Sequence, residues 1–186
     1  METFNFYFSL GFQHVTDFNG LDHFYFIIAL ALPFGFKQAQ KLLWWVTLFT
    51  LGHSLSLIGN YYASVAFSAY WIELLIPVTI ALSCLPILVQ QTPKTNGYAS
   101  GLTLLFGIIH GFGFGRFFSM MVAPEDAGTS LFSFALGVEA AQIAIVLCVL
   151  LLNFIIAMTT KWLRLWRTLI GIVIFLLAVI MIVERI

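Results

Sequence analysis

The sequence predicts an all-α fold, a polytopic membrane helix bundle of about six transmembrane helices with a short interfacial or re-entrant segment at its N-terminus. Three observations predict it. Of the 186 residues, 61% are hydrophobic and only 9% are charged, against about 25% charged in a soluble domain. The mean hydropathy is +1.02. Breaking the apolar text at charged and turn-forming residues leaves six stretches, and a spanning helix needs about 20 mostly apolar residues.

The six spans fall at residues 21–36, 42–60, 67–90, 99–118, 130–158 and 165–184, and residues 1–186 form a single transmembrane domain. The first span is short and is followed by Gly35 and Lys37. Ahead of it, Phe4, Phe8, Phe12 and Val15 recur at helical spacing across residues 4–18. That pattern fits a helix lying in the interface or dipping partly into the membrane, or equally an extension of the first span. The start, Met1-Glu2-Thr3-Phe4, lacks the positive region of a cleavable leader.

Six spans place both termini on one side. Lys37, Lys41, Lys94, Lys161, Arg164 and Arg167 lie near loops of one side, and Arg116 and Arg185 on the other. The positive-inside rule then puts both termini on the non-cytoplasmic side of the cell (inner) membrane, with the lipid bilayer as the first partner. Eight basic residues against eight acidic ones leave no positive field for phosphates, so nucleic acid is excluded. Cys84 and Cys148 are too far apart for a CxxC metal site and fall in apolar runs, as small packing residues do.

Ionisable side chains are costly inside a bilayer and mark function. Asp22, His23, His53, Glu73, His110 and Glu139 all fall in or at the mouths of spans. An interior of imidazoles and carboxylates is furnished to receive cations. At about 1.5 Å of rise per residue, His53, Glu73, His110 and Glu139 sit roughly 9–13 Å below the outer ends of their helices. Asp22 and His23 lie closer to the surface. His23, His53, His110 and Glu139 are therefore the expected metal ligands, with Asp22 and Glu73 as access or proton-coupling groups.

Neighbouring residues add to this set. Pro77 cannot donate the helical bond that the Glu73 carbonyl would otherwise receive. Gln142 lies one turn from Glu139 and can orient its carboxylate. Ser54 and Ser56 flank His53 and can bond either a ligand or backbone carbonyls. Gly107, Gly111 and Gly115 recur every four residues, the spacing that lets membrane helices approach closely. His14 precedes the first span and suits a surface role as well as an outer metal contact, and Arg116 reads as a solvated helix end.

These residues also form an ordered series: Gly11-Phe12-Gln13-His14-Val15, Gly20-Leu21-Asp22-His23, Phe49-Thr50-Leu51-Gly52-His53-Ser54, Glu73, Phe106-Gly107-Ile108-Ile109-His110-Gly111-Phe112-Gly113-Phe114 and Gly137-Val138-Glu139-Ala140-Ala141-Gln142. In this the chain resembles the HupE/UreJ family of hydrogenase and urease accessory membrane proteins, over about 130 residues. The resemblance implies a nickel or cobalt permease. Gly52 stands where the family pattern leads one to expect alanine.

Three functions fit the residues. The leading one is a permease for a divalent transition metal, because imidazole and carboxylate without thiolate suit Ni²⁺, Co²⁺, Zn²⁺ or Fe²⁺ better than Cu⁺. It would pass the ion to an intracellular metallochaperone or act as a homo-oligomer. The second is a zinc-dependent intramembrane hydrolase with Glu73, Glu139 or Asp22 as general base. The third is a metal-binding accessory protein, although the loops are short for a partner surface.

Overall fold

The structure, a computed structural model, describes residues 1–17, 20–65, 67–91, 97–159 and 161–186. Lys94, which counted toward the cytoplasmic rim, lies outside the described residues. Among these residues there are seven α-helices and no strand: α1 Glu2–Thr16, α2 Asp22–Ala31, α3 Ala39–Ala63, α4 Ala69–Leu88, α5 Gly97–Met121, α6 Ala127–Thr159 and α7 Leu163–Glu184. Short 3₁₀ turns at Phe36–Gln38 and Pro124–Asp126 lead into α3 and α6. The five helices from α3 to α7 are long and apolar enough to cross a membrane.

The first predicted span is different. Its helix, α2, has 10 residues, a length of about 15 Å, half a bilayer core. The missing half is supplied by α1. Tyr7 stacks edge-on against Phe118 and donates a hydrogen bond to the Met121 carbonyl at 2.9 Å. His14 lies against Phe114, His23 against His110, and Phe26 against Phe106. Residues 7, 14, 23 and 26 thus meet α5 in descending order, so α1 and α2 run one after the other, antiparallel to it. Together they cover the length of one span, broken between Asp17 and Asp22 near the middle of α5.

Local sequence explains both ends of the break. Asp17 leaves the helical region (φ −65°, ψ 123°) and its carbonyl accepts the Gly20 N–H at 3.2 Å. Helix α2 then restarts with Asp22 in its first turn, where the helix dipole favours an acid. Non-helical backbone at membrane depth is tolerated where protein buries it or it lines a cavity. At the other end Pro33 stops α2. The carbonyls left over are taken by buried Asn153 of α6, whose amide donates to Leu32 and Phe34 at 3.1 and 3.0 Å. Arg167 of α7 donates to Pro33 and Phe34 at 3.1 and 2.6 Å. These bonds hold the loop before α3 and the start of α7 at the same end of the bundle.

Two helix pairs form the frame. Along α3 and α5, Phe49 faces Gly107, His53 and Ser56 face Gly111, and Asn60 faces Gly115 and Ser119, so the two helices run parallel in register. The approach is close enough that a Cβ on Gly107 would run into the Phe49 carbonyl, and one on Gly52 into the Leu104 carbonyl. That contact accounts for glycine rather than alanine at 52. The crossing of α1 and α6 repeats the device with Gly11 against Phe134 and Gly137 against Phe8. The aromatic side chains fill what remains: Phe26, Phe34, Phe49, Phe118 and Phe134 are all fully buried.

Candidate metal centre

Four histidines from four helices converge where the first span is broken. His14 ends α1, His23 opens α2, His53 lies on α3 and His110 on α5. Ring centroids are 4.5 Å apart for His14 and His23, 5.5 Å for His14 and His53, 5.3 Å for His23 and His53, and 5.0 Å for His23 and His110. One ring nitrogen from each of His14, His23 and His53 lies within 4.8 Å of the other two. Imidazoles sharing a tetrahedral metal at about 2.0–2.1 Å have their ligand atoms somewhat closer than that, so small rotations of the rings would close the site.

The hydrogen-bond pattern leaves these nitrogens free. The His110 Nδ1–H donates to the Phe106 carbonyl at 2.9 Å; a carbonyl only accepts, so this bond puts the proton on Nδ1 and leaves the Nε2 lone pair free, although His110 is not among the three whose ligand atoms lie within 4.8 Å of one another. The Nε2 atoms of His14, His23, His53 and His110 are all buried and have no hydrogen-bond partner. Orphaned buried polar atoms are rare and cost about 1–3 kcal/mol each. Four in one place fit a site built for a ligand, and lone-pair nitrogens without a thiolate suit a borderline divalent cation. Phe49, Phe114 and Phe134 wall the cluster. The Ser56 hydroxyl donates to the His53 carbonyl at 2.7 Å and offers nothing to the centre.

The carboxylates are distributed differently. A cavity of about 200 Å³ opens above the cluster, lined by His14, His23 and His110 together with Asp17, Asp22, Glu73 and Arg185. Asp22 lies 3.9 Å from the Arg185 guanidinium. Glu73 is exposed at the mouth, and the carbonyl that Pro77 frees accepts a bond from Arg185 Nη1 at 2.5 Å. Arg116 is exposed and shares a neighbouring cavity with Glu73.

Glu139 is not brought to the histidines. Its carboxylate accepts hydrogen bonds from Thr47 at 2.6 Å and from Thr50, and the Thr50 hydroxyl is also 3.1 Å from Gln142 Oε1. This polar group lies between α3 and α6, below His53. It lines, with half-buried Ser54, a groove of about 600 Å³ running to Tyr62 near the C-terminal end of α3 and Gly128 at the start of α6. Gln142 is fully buried beside it. Cys84 is buried and Cys148 exposed, both as free thiols away from the cluster.

Three features become legible only in the structure. His14 suits either a surface role or a metal contact in sequence, because its contribution depends on the direction of α1, which the Tyr7–Met121 and His14–Phe114 contacts fix. Arg185 reads as a terminal solvated charge until α7 packs against α4 and brings it over Asp22. Thr47 and Thr50 recur three residues apart in an apolar helix, and that spacing, one turn ahead of His53, was the available signal.

A multi-pass helical membrane protein with a discontinuous first span and an imidazole cluster at the discontinuity is the class these observations define. The chain belongs to the HupE/UreJ family: a family model described as HupE / UreJ protein matches residues 1–185, the whole length but one residue. Comparison with curated proteins and with solved structures finds no match.

Proposed function

We propose that the protein is a permease for a divalent transition metal of the nickel/cobalt type, with His14, His23, His53 and His110 as the ligands that hold the ion at mid-membrane. The observation that carries this reading is the convergence of four unpartnered imidazole nitrogens on the interruption of a broken span. Secondary transporters place their sites near the bilayer midplane at such discontinuous helices. Zn²⁺ fits the same donors, and selection among these metals rests on geometry more than on affinity.

The ion would arrive from the outer side through the cavity lined by Asp22 and Glu73 and leave inward past Glu139. The polar residues of α3 descend from His53 through Thr50 to Thr47, and Glu139 and Gln142 join them from α6. Glu139 is thus the next carboxyl station after the imidazoles, where a departing cation is held loosely before release to an intracellular metallochaperone. Both termini lie outside the cell membrane in this orientation, with Lys37, Lys161 and Arg164 at the cytoplasmic rim.

Uptake into metal-free proteoliposomes tests the reading. The purified protein should give saturable entry of Ni²⁺ or Co²⁺, and the His23→Ala variant should reduce the rate at low metal at least about tenfold. Tight, stoichiometric zinc with no flux would instead identify a hydrolytic centre, and reversible metal binding with no flux an accessory protein.

A further inference from the structure

The cavity leading to the histidines already holds a cation belonging to the protein. Arg185, the residue that caps α7, turns its guanidinium inward, donating through Nη1 to the Glu73 carbonyl at 2.5 Å and placing Nη2 3.9 Å from Asp22 Oδ2. Both acceptors are set up by the fold. The Glu73 carbonyl is available because Pro77 has no N–H to give it. Asp22 is held at the first turn of α2, next to His23. A planar fork of donors matches this pair of oxygens, and the guanidinium side chain lines the same cavity as His14, His23 and His110.

We propose that Arg185 is a tethered cation occupying the outer cation position of the path, formed by the Asp22 carboxylate and the Glu73 carbonyl, and that an incoming dication takes its place there before passing to the imidazoles. This deepens the permease reading and rests on it for the identity of the cation. The charges define what can enter. Asp17, Asp22 and Glu73 line the cavity with Arg185, so once the guanidinium is displaced three carboxylates, a formal −3, face the incoming ion, and a dication offsets that charge more fully than a monocation. Displacing the guanidinium removes the polar ties of the end of α7 to Asp22 on α2 and to the Glu73 carbonyl on α4 at once. Occupancy of the outer position is thereby linked to opening above the broken span.

The test uses the full-length protein in detergent and reads the gate without metal. Diethyl pyrocarbonate modifies neutral imidazole, and the rate at which it labels His14 and His23 can be followed by peptide mass spectrometry. In Arg185→Gln, checked for monodisperse elution, labelling is expected to rise several-fold. In Arg185→Lys, whose ammonium lacks the planar fork, it is expected to fall between the two. In proteoliposomes the glutamine variant should also lower the KM for Ni²⁺, by roughly tenfold if the local field governs capture, with little change in kcat. Labelling of Arg185→Gln at the parental rate overturns the proposal; if that variant does not fold, the lysine variant carries the test and a parental rate there overturns it. A protein that transports no metal but shows faster labelling loses the permease reading while the gate stands.

Discussion

Replacing His53 and His110 together by alanine is expected to weaken binding of Co²⁺ or Ni²⁺ by at least about 100-fold, measured by equilibrium titration of the purified protein. Loss of a group that merely orients a metal ligand typically costs 10–100-fold, so removal of two donors from the set exceeds that range. The pair is informative because the two side chains come from different helices. His53 is 1% exposed and so is His110, and their Nε2 atoms have no partner among the described residues. Truncating them therefore removes no hydrogen bond except that from His110 to Phe106, and the fold should survive with a wet pocket at its centre. Glu139→Gln serves as the contrast: its carboxylate is engaged by Thr47 and Thr50, away from the imidazoles, so equilibrium affinity should change only a few-fold while uptake slows. Affinity lost equally in Glu139→Gln would return that residue to the ligand set.

A second large effect is expected where the backbones touch. Gly52→Leu or Gly107→Leu puts a side chain where a carbonyl of the facing helix already lies, Leu104 for the first and Phe49 for the second. A neighbouring side chain could rotate away, but a helix backbone must move bodily, so the usual overpacking cost of about 1–3 kcal/mol is a lower bound. Separating α3 from α5 also separates His53 from His110, and metal affinity should fall with stability. The control is internal: Gly59 and Gly101 lie on the same two helices with nothing within 4 Å of an added Cβ. Alanine at either should be neutral or stabilising by up to about 1 kcal/mol, since it has the higher helix propensity. Thermal unfolding in detergent distinguishes the two groups, and equal loss at all four positions would contradict the register of the α3–α5 pair.

Much of the architecture is legible in the sequence because the bilayer imposes a single requirement, a run of apolar residues long enough to cross. The five long spans are each recognisable, and the observed helix ends differ from the expected boundaries by a turn or less, α4 falling short of its span and the others extending beyond theirs. The first span resists that reading for a physical reason. Its two halves are short, and the aromatic spacing of residues 4–18 shows a helix without showing which way it runs. Only contacts with α5 establish that His14 is carried into the protein. The imidazole cluster was partly legible for a similar reason. Rise per residue gives height, and height puts His53, Glu73, His110 and Glu139 at one level. It gives neither rotation about the helix axis nor the register between helices, and the two together set Glu139 against Thr47 and Thr50, below His53, instead of beside the histidines. Charge counting in turn treated Arg185 as a rim residue, since the Asp22 and Glu73 carbonyl partners that draw it inward come from two other helices.

The central claim is that imidazoles from the two halves of the broken span and from the α3–α5 pair surround one metal ion. X-ray absorption at the metal edge of the Co²⁺- or Ni²⁺-loaded protein reads that shell directly. Three or four nitrogens at about 2.0–2.1 Å, with the outer-shell scattering of imidazole rings and a loss of that scattering in His53→Ala/His110→Ala, is the predicted result. A shell of oxygens or sulfur without imidazole scattering would contradict it.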